Sequence, residues 1–289
     1  VKATLKKVAV APVGAMRRAA ARRALKALTA AELPQLRQVG AALQDALGGG
    51  PDAADRARIA TIEARRAELA ASKARIDVLD YGAGRPGDKR SEAEMRAGVR
   101  TTAAVADVCA ASKPAFWAAL LYHLVRRLEP SSVLELGTCV GISAAYQGVA
   151  MARNGRGRLR TLEGAPSIAE LARQTFAAAG LDNVEVVVGP FHETLGAALA
   201  AATPLDFFFN DGHHDHDAVL RYFDEALPHL ADGAVVVFDD ISWSPGMRRA
   251  WTAIEAHPRV HASVDLRAMG ITIIGAAPST IRRNLRIPL

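Results

Sequence analysis

From Val133 onward the chain alternates short, largely apolar runs with longer segments of helical spacing. The runs are Val133–Leu136, Leu159–Leu162, Val184–Val188, Leu205–Phe209 and Ala234–Phe238. Strands that are largely apolar on both sides are covered on both faces, as in a parallel sheet, whereas a half-exposed strand alternates. The segments between them predict helices over Ile142–Arg153, Ser167–Ala179, His192–Ala201 and Asp215–Leu230. After a further helix, Met247–His257, the stretches Val260–Asp265 and Met269–Ile274 predict two closing strands. The expected fold class is α/β, a doubly wound, mostly parallel seven-stranded sheet with an antiparallel end. Ligands in such sheets bind beyond the carboxyl ends of the strands, where the strand order reverses.

The first 75 residues read differently, as Ala/Arg-rich helices. Thr29 and Glu32 have the spacing of a capping box and predict a helix start, and Gly48-Gly49-Gly50-Pro51 predicts its end. A charged helix is expected over Ala53–Ser72, then an extended stretch Ile76–Tyr81 and a loop Gly82–Gly87. Ser91 and Glu94 form a second capping-box pattern, predicting a helix to about Ala110. The helix Pro114–Leu128 carries Phe116, Leu120, Leu121, Leu124, Val125 and Leu128 as a core stripe. The expected organisation is a helical extension over 1–75, a helical lead-in over 76–130 and a ligand-binding domain over 131–289.

Composition changes this picture little. Half of the 289 residues are apolar and 23% charged, ordinary globular usage. The net charge of +6 is local: Lys2, Lys6, Lys7, Arg17, Arg18, Arg22, Arg23 and Lys26 all precede the first acid, Glu32. Beyond them 28 basic residues face 30 acidic ones, so no nucleic-acid partner is expected of the body. The arm and the helices after it suggest a homo-oligomer as the macromolecular partner. Cys109 and Cys139 lack the spacing of a thiolate metal site, and a reducing compartment is expected. No apolar run approaches the roughly 20 residues of a membrane span, and Arg22, Arg23 and Lys26 interrupt the only signal-like stretch. The expected location is cytoplasmic.

The chemistry lies at the strand ends. The first ends in Glu135-Leu136-Gly137-Thr138-Cys139-Val140-Gly141-Ile142-Ser143. Its two glycines let the backbone turn sharply and approach a ligand just ahead of a helix N-terminus. Cys139 and Ile142 stand where a dinucleotide fingerprint needs glycine, so a nicotinamide dehydrogenase is disfavoured. Glu163 follows the second strand, where a carboxylate can accept both hydroxyls of a ribose. Gly189 and Phe191 follow the third. Asp211-Gly212-His213-His214 follows the fourth and Asp239-Asp240-Ile241-Ser242-Trp243 the fifth. Adjacent carboxylates raise each other's pKa. A divalent ion relieves that conflict, and Asp211, Asp239 and Asp240 offer an all-oxygen set for Mg²⁺ or Mn²⁺.

The first of these motifs resembles motif I of the class I S-adenosylmethionine (SAM) methyltransferases. The later blocks resemble the catechol-type O-methyltransferases, and more closely the bacterial group acting on natural-product sugars. The resemblance covers about Val133–Gly275, with weaker similarity back to Tyr81. It implies a Rossmann-like fold with SAM as cofactor, held by Glu135, Gly137, Thr138, Gly141, Ser143, Glu163, Gly189, Phe191 and Asp211. It implies a metal on Asp211, Asp239 and Asp240. Catechol-type enzymes carry a lysine three residues after the first metal acid, where this chain has His214. Histidine is a base of suitable pKa in its own right, so His214 is the first candidate base and His213 the second. The expected reaction is methylation of a small molecule with vicinal hydroxyls, a catechol or sugar diol. The alternatives are a metal-independent methyltransferase acting on nitrogen or a carboxylate, and a non-enzymatic protein that binds through its basic arm.

Overall fold

The computed structural model describes residues 21, 23–81, 90–280, 283–287 and 289. Most of the basic arm and the loop expected at Gly82–Gly87 lie outside the described residues. Residues 23–29 are helical. Thr29 closes this helix instead of opening the next, its hydroxyl donating back to Leu25 O (3.3 Å) and Lys26 O (3.1 Å). Helix α1 then starts at Pro34 and runs over Pro34–Gly48 with no side-chain cap, ending at Gly49. Helix α2 spans Arg56–Ala70 behind a 3₁₀ turn, Ala53–Asp55.

The second capping box forms, but it opens only one and a half turns. Ser91 and Glu94 cap α3, Glu92–Ala97, and Gly98 at φ 79° stops it. The β-branched residues that follow make a strand where helix was expected. Thus β1 (Arg75–Asp80) pairs antiparallel with β2 (Val99–Ala104), and only then come α4 (Val105–Ala110) and α5 (Ala115–Leu128).

The remaining elements follow the expected alternation. They are β3 (Ser132–Leu136), α6 (Ile142–Asn154), β4 (Arg158–Glu163), α7 (Pro166–Ala178), β5 (Val184–Val188), α8 (Phe191–Ala202) and β6 (Leu205–Asn210). After these come α9 (His216–Ala226), β7 (Leu230–Phe238), α10 (Pro245–Ala256), β8 (Val260–Asp265), β9 (Gly270–Ile274) and β10 (Arg283–Arg286). The sheet order is β10-β8-β9-β7-β6-β3-β4-β5. Strands β3 to β7 are parallel and β9 runs against both β7 and β8. This is a Rossmann-like doubly wound sheet, with β10 as an eighth strand at the β8 edge.

Alternation along the strands feeds two apolar layers. Val133, Phe207, Phe209, Val235 and Val237 face the layer filled by α1, α5 and α6. Leu134, Leu136, Phe208, Val236 and Phe238 face α8, α9 and α10. The N-terminal helices bury Leu36, Val39, Leu43, Ile59 and Ile62 in the first of these layers, so their apolar faces are largely used within the chain. Among the described residues no helix is long and apolar enough to cross a membrane.

Candidate active site

The strand order reverses between β3 and β6, which opens a cleft above their carboxyl ends. Each loop there is tied to its neighbour by its first amide. Gly137 N donates to Leu162 O (3.0 Å), Gly189 N to Glu163 O (2.9 Å), Asp211 N to Leu136 O (3.1 Å) and Asp239 N to Asn210 O (3.1 Å). These bonds extend the sheet one step past its strands and fix the side chains that follow. Gly137, at φ 88°, lets the loops touch: a Cβ there would lie 2.4 Å from Asp211 O. Two non-glycine residues on these loops, Cys139 and Asp240, are held at φ 51°. Left-handed backbone of this kind persists only where the surroundings enforce it.

The residues expected to hold the cofactor fall into two sets. Glu135 is fully buried and accepts a hydrogen bond from the Ser143 hydroxyl, which pins the start of α6 to β3. Its burial pushes the carboxyl up to about 8, against the pull of Ser143. Thr138 is also fully buried, with its hydroxyl 2.7 Å from that of Thr161. Glu163 instead sits at the cleft, accepting from Cys139 N and Ala165 N, both at 3.0 Å. Burial raises its pKa to about 7 against those amides. Tyr81, at the end of β1, lies over Gly164, leaving no room for a Cβ there. Phe191 packs against Gly212 and stands edge-on to Tyr222.

The two candidate bases have different surroundings. His213 Nδ1 is 2.6 Å from the Tyr222 hydroxyl and its ring packs on Phe191, so it belongs to an aromatic cluster. His214 faces the acids: its Nε2 is 3.7 Å from Asp240 Oδ2 and 3.8 Å from Asp211 Oδ1. Burial lowers the pKa of both. The third histidine of the block, His216, begins α9 and contacts Asp217 (2.7 Å). Trp243 is 69% exposed, its ring centroid 6.5 Å from that of His214.

At the centre of the acids stands a residue that the sequence pattern did not point to. Lys113 Nζ donates to Asp211 Oδ1 at 3.1 Å and to Asp239 Oδ2 at close contact. All three side chains are nearly buried: 10% of Lys113, 13% of Asp211 and 6% of Asp239 is exposed. Burial opposes the charge on Lys113, but Asp211 and Asp239 outweigh it and hold its pKa above the ordinary lysine value. Burial, then the neighbouring Asp239, raises Asp211 well above the usual carboxylate range. The Lys113 backbone is held from the N-terminal extension, where Arg66 on α2 donates to Lys113 O (2.8 Å). Glu63 accepts from Arg66 (2.9 Å) and from the Tyr146 hydroxyl (2.8 Å).

Of the three acids expected around a divalent ion, Asp211 and Asp239 are brought together with His214, their donor atoms within 4.8 Å of one another. Asp240 stands outside that group. This arrangement does not fit Mg²⁺, which takes oxygen ligands in near-octahedral geometry. Both converging carboxylates are already bonded to an ammonium, and the third donor is an imidazole nitrogen.

Residues 134–241 match a protein family described as a methyltransferase domain. The chain is 36% identical over 119 residues to the catechol O-methyltransferase of Mycobacterium tuberculosis, covering 41% of this chain and 51% of that protein. It is 32% identical over 123 residues to the catechol O-methyltransferase of Niastella koreensis, covering 42% of this chain and 54% of that one. It therefore spans about half the length of the curated relatives it matches. Among solved structures, cofactor-bound Rv0187 from MTB aligns with a TM-score of 0.50 at 27% identity, over 59% of this chain and 88% of that one. An O-methyltransferase from Bacillus cereus in complex with SAH aligns with a TM-score of 0.50 at 26% identity, over 59% and 86%.

Proposed function

We propose that this chain, whose core is a class I SAM-dependent O-methyltransferase domain of the catechol-type group, transfers a methyl group from SAM to a hydroxyl of a small molecule. The observation that carries this reading is the cluster of Asp211, Asp239, Asp240, His214 and Lys113 at the strand ends on the same sheet edge as the Glu163 carboxylate. Each Glu163 oxygen already accepts one backbone amide and keeps a lone pair for a ribose hydroxyl. Gly137 and Gly141, at φ 88° and 84°, turn the chain sharply ahead of the N-terminus of α6, where the positive helix end suits a carboxylate. Tyr81 and Phe191 offer apolar surface on either side for the adenosine portion. Glu135, Thr138 and Ser143 act from behind, holding the loop in shape.

SAM, when bound, would supply an electrophilic methyl carbon whose bonding pair leaves with the sulfur, and His214 Nε2 is placed to take the proton of the acceptor hydroxyl. Burial lowers the His214 pKa and keeps the imidazole neutral and ready to accept that proton. Asp240, 3.7 Å away, stabilises the imidazolium that results. Trp243 and Asp240 border an open side of the cluster, a flat surface next to polar groups that suits a catechol ring or a sugar diol. Holding the acceptor in line contributes about 7–11 kcal/mol as effective molarity. The acceptor is held and deprotonated by side chains alone, because Lys113 already bonds both converging carboxylates.

The test is transfer of labelled methyl from SAM into a panel of catechols, glycosides and their monohydroxy analogues. Label is expected in an ether oxygen of a vicinal-diol acceptor. SAM binding without transfer to any hydroxyl, or label appearing on nitrogen or a carboxylate, would overturn the reading.

A further inference from the structure

We infer that Lys113 is the resident cation of this site, standing where a divalent ion would otherwise join Asp211 to Asp239, and that its ammonium binds the acceptor oxygen directly. The inference rests on the methyl-transfer reading for its chemistry and on the geometry of Lys113 for its identity.

An ammonium has three N–H donors. Asp211 Oδ1 and Asp239 Oδ2 take two of them, and the third is left for an oxygen entering the cleft. A single ammonium therefore serves two ends that a metal ion serves in an all-carboxylate site: it neutralises acids crowded at adjacent strand ends, and it stabilises charge developing on the acceptor oxygen. Lys113 keeps its proton throughout, and the proton leaving the acceptor goes to His214.

The position is built rather than accidental. Lys113 precedes Pro114, which confines it to extended backbone. Arg66 ties its carbonyl to α2, and the Ser112 hydroxyl lies 3.8 Å from Cys139 Sγ on the motif I loop. The same residues also explain why a divalent ion is excluded. To enter, it would have to expel an ammonium from two nearly buried carboxylates and leave that charge stranded beside it.

Two measurements test this, and the first needs no turnover. Mn²⁺ binding is followed by the electron paramagnetic resonance signal of the free ion, in the full chain and in Lys113→Ala. The variant uncovers the acids and is expected to bind Mn²⁺ about tenfold or more tightly than wild type, the effect of removing one like charge at contact distance. No difference between the two proteins would overturn the inference. The second is labelled methyl transfer by metal-stripped protein, expected to stay within about twofold of its rate when excess chelator is replaced by Mg²⁺. In excess chelator, Lys113→Met is expected to lose about a hundredfold in kcat relative to wild type, while calorimetry shows SAM binding retained. Transfer abolished by chelator and restored by Mg²⁺ would overturn the assignment of Lys113. Absence of transfer in every condition would instead overturn the methyl-transfer reading, and the Mn²⁺ comparison would still decide the role of Lys113.

Discussion

Lys113 Nζ donates to Asp211 Oδ1 at 3.1 Å, joining two residues 98 positions apart in the chain. This bond, with its partner to Asp239, ties the loop between α4 and α5 to the carboxyl ends of the sheet. It makes the site a joint product of the helical lead-in and the Rossmann-like core. Because all three groups are nearly buried, removing only the cation leaves two facing carboxylates with nothing to offset them. Lys113→Met is expected to lower stability to urea by about 3–5 kcal/mol. Adding Asp211→Asn should recover much of that loss, a non-additivity that a double-mutant cycle measures. Simple additivity of the two substitutions would show that the pair is not coupled.

If Glu163 holds the ribose as proposed, it links pH to cofactor binding. Its pKa of about 7 is raised chiefly by burial, so it gains a proton within the neutral range. A protonated carboxyl loses an acceptor lone pair and the charge that strengthens hydrogen bonds to a ribose. SAM affinity is therefore expected to weaken as pH falls through about 7, and to level off above it. Glu163→Gln should bind roughly 10- to 100-fold more weakly, the worth of a hydrogen bond to a charged acceptor. Its affinity should show no inflection in that range when titrated by calorimetry.

The legible parts of this molecule were those carried by local pattern. Strands β3 to β7 were visible because each is a short, largely apolar run that ends at or just before a glycine or an acid, and those stops are where Glu163, Asp211 and Asp239 stand. Strand β2 was hidden inside a stretch read as helix, because Gly98 is one small residue in Ala-rich surroundings. Strand β10, Arg283-Asn284-Leu285-Arg286, is a polar edge with no apolar run to announce it. Lys113 left no signal at all: it is a lone lysine before a proline, and its meaning depends on contacts nearly a hundred residues away. Arg66 and Glu63 fall in a stretch whose pattern predicts only a charged helix, yet together they hold the Lys113 backbone.

Glu135 carries a stability cost with a definite sign. Its pKa in the folded chain, about 8, lies above the ordinary 4.5 because the carboxyl is buried. Below pH 4.5 both states are protonated and the residue contributes no pH dependence. As pH rises, the unfolded chain ionises first while the folded one keeps its proton, so the fold loses stability up to about pH 8 and no further. Glu135→Gln keeps the shape and removes the titration. Its melting temperature is expected to exceed that of wild type by several degrees at neutral pH, with the gap closing toward pH 4. A gap that widened on acidification would contradict this sign.

His214 and His213 are adjacent, and their surroundings predict opposite phenotypes. His214 faces Asp240 and Asp211, so His214→Asn is expected to lower kcat by about 10²- to 10⁴-fold with little change in KM, the usual worth of a positioned base. His213 is packed between Phe191 and Tyr222, so His213→Asn should lower thermal stability and SAM affinity more than kcat. Steady-state kinetics and a melting curve on both variants separate the two roles, and equal losses of kcat would show that the pair is not divided in this way.

Trp243 provides the cleanest separation of binding from folding. At 69% exposure it contributes little to the core. Its ring nevertheless stands beside the one imidazole that faces the acids, with a centroid separation of 6.5 Å. A large aromatic left in solvent next to polar chemistry is better explained by an acceptor that covers it than by packing. Trp243→Ala is therefore expected to leave the melting temperature within about a degree of wild type, as exposed substitutions do. The same variant should raise the acceptor KM by about tenfold, the value of one lost stacking contact. Its SAM affinity should be unchanged, since Glu163 and the Gly137 loop lie on the other side of the Asp211 strand end. A variant that melts earlier with unaltered KM would assign Trp243 to the fold and leave the acceptor surface to Asp240 and its neighbours.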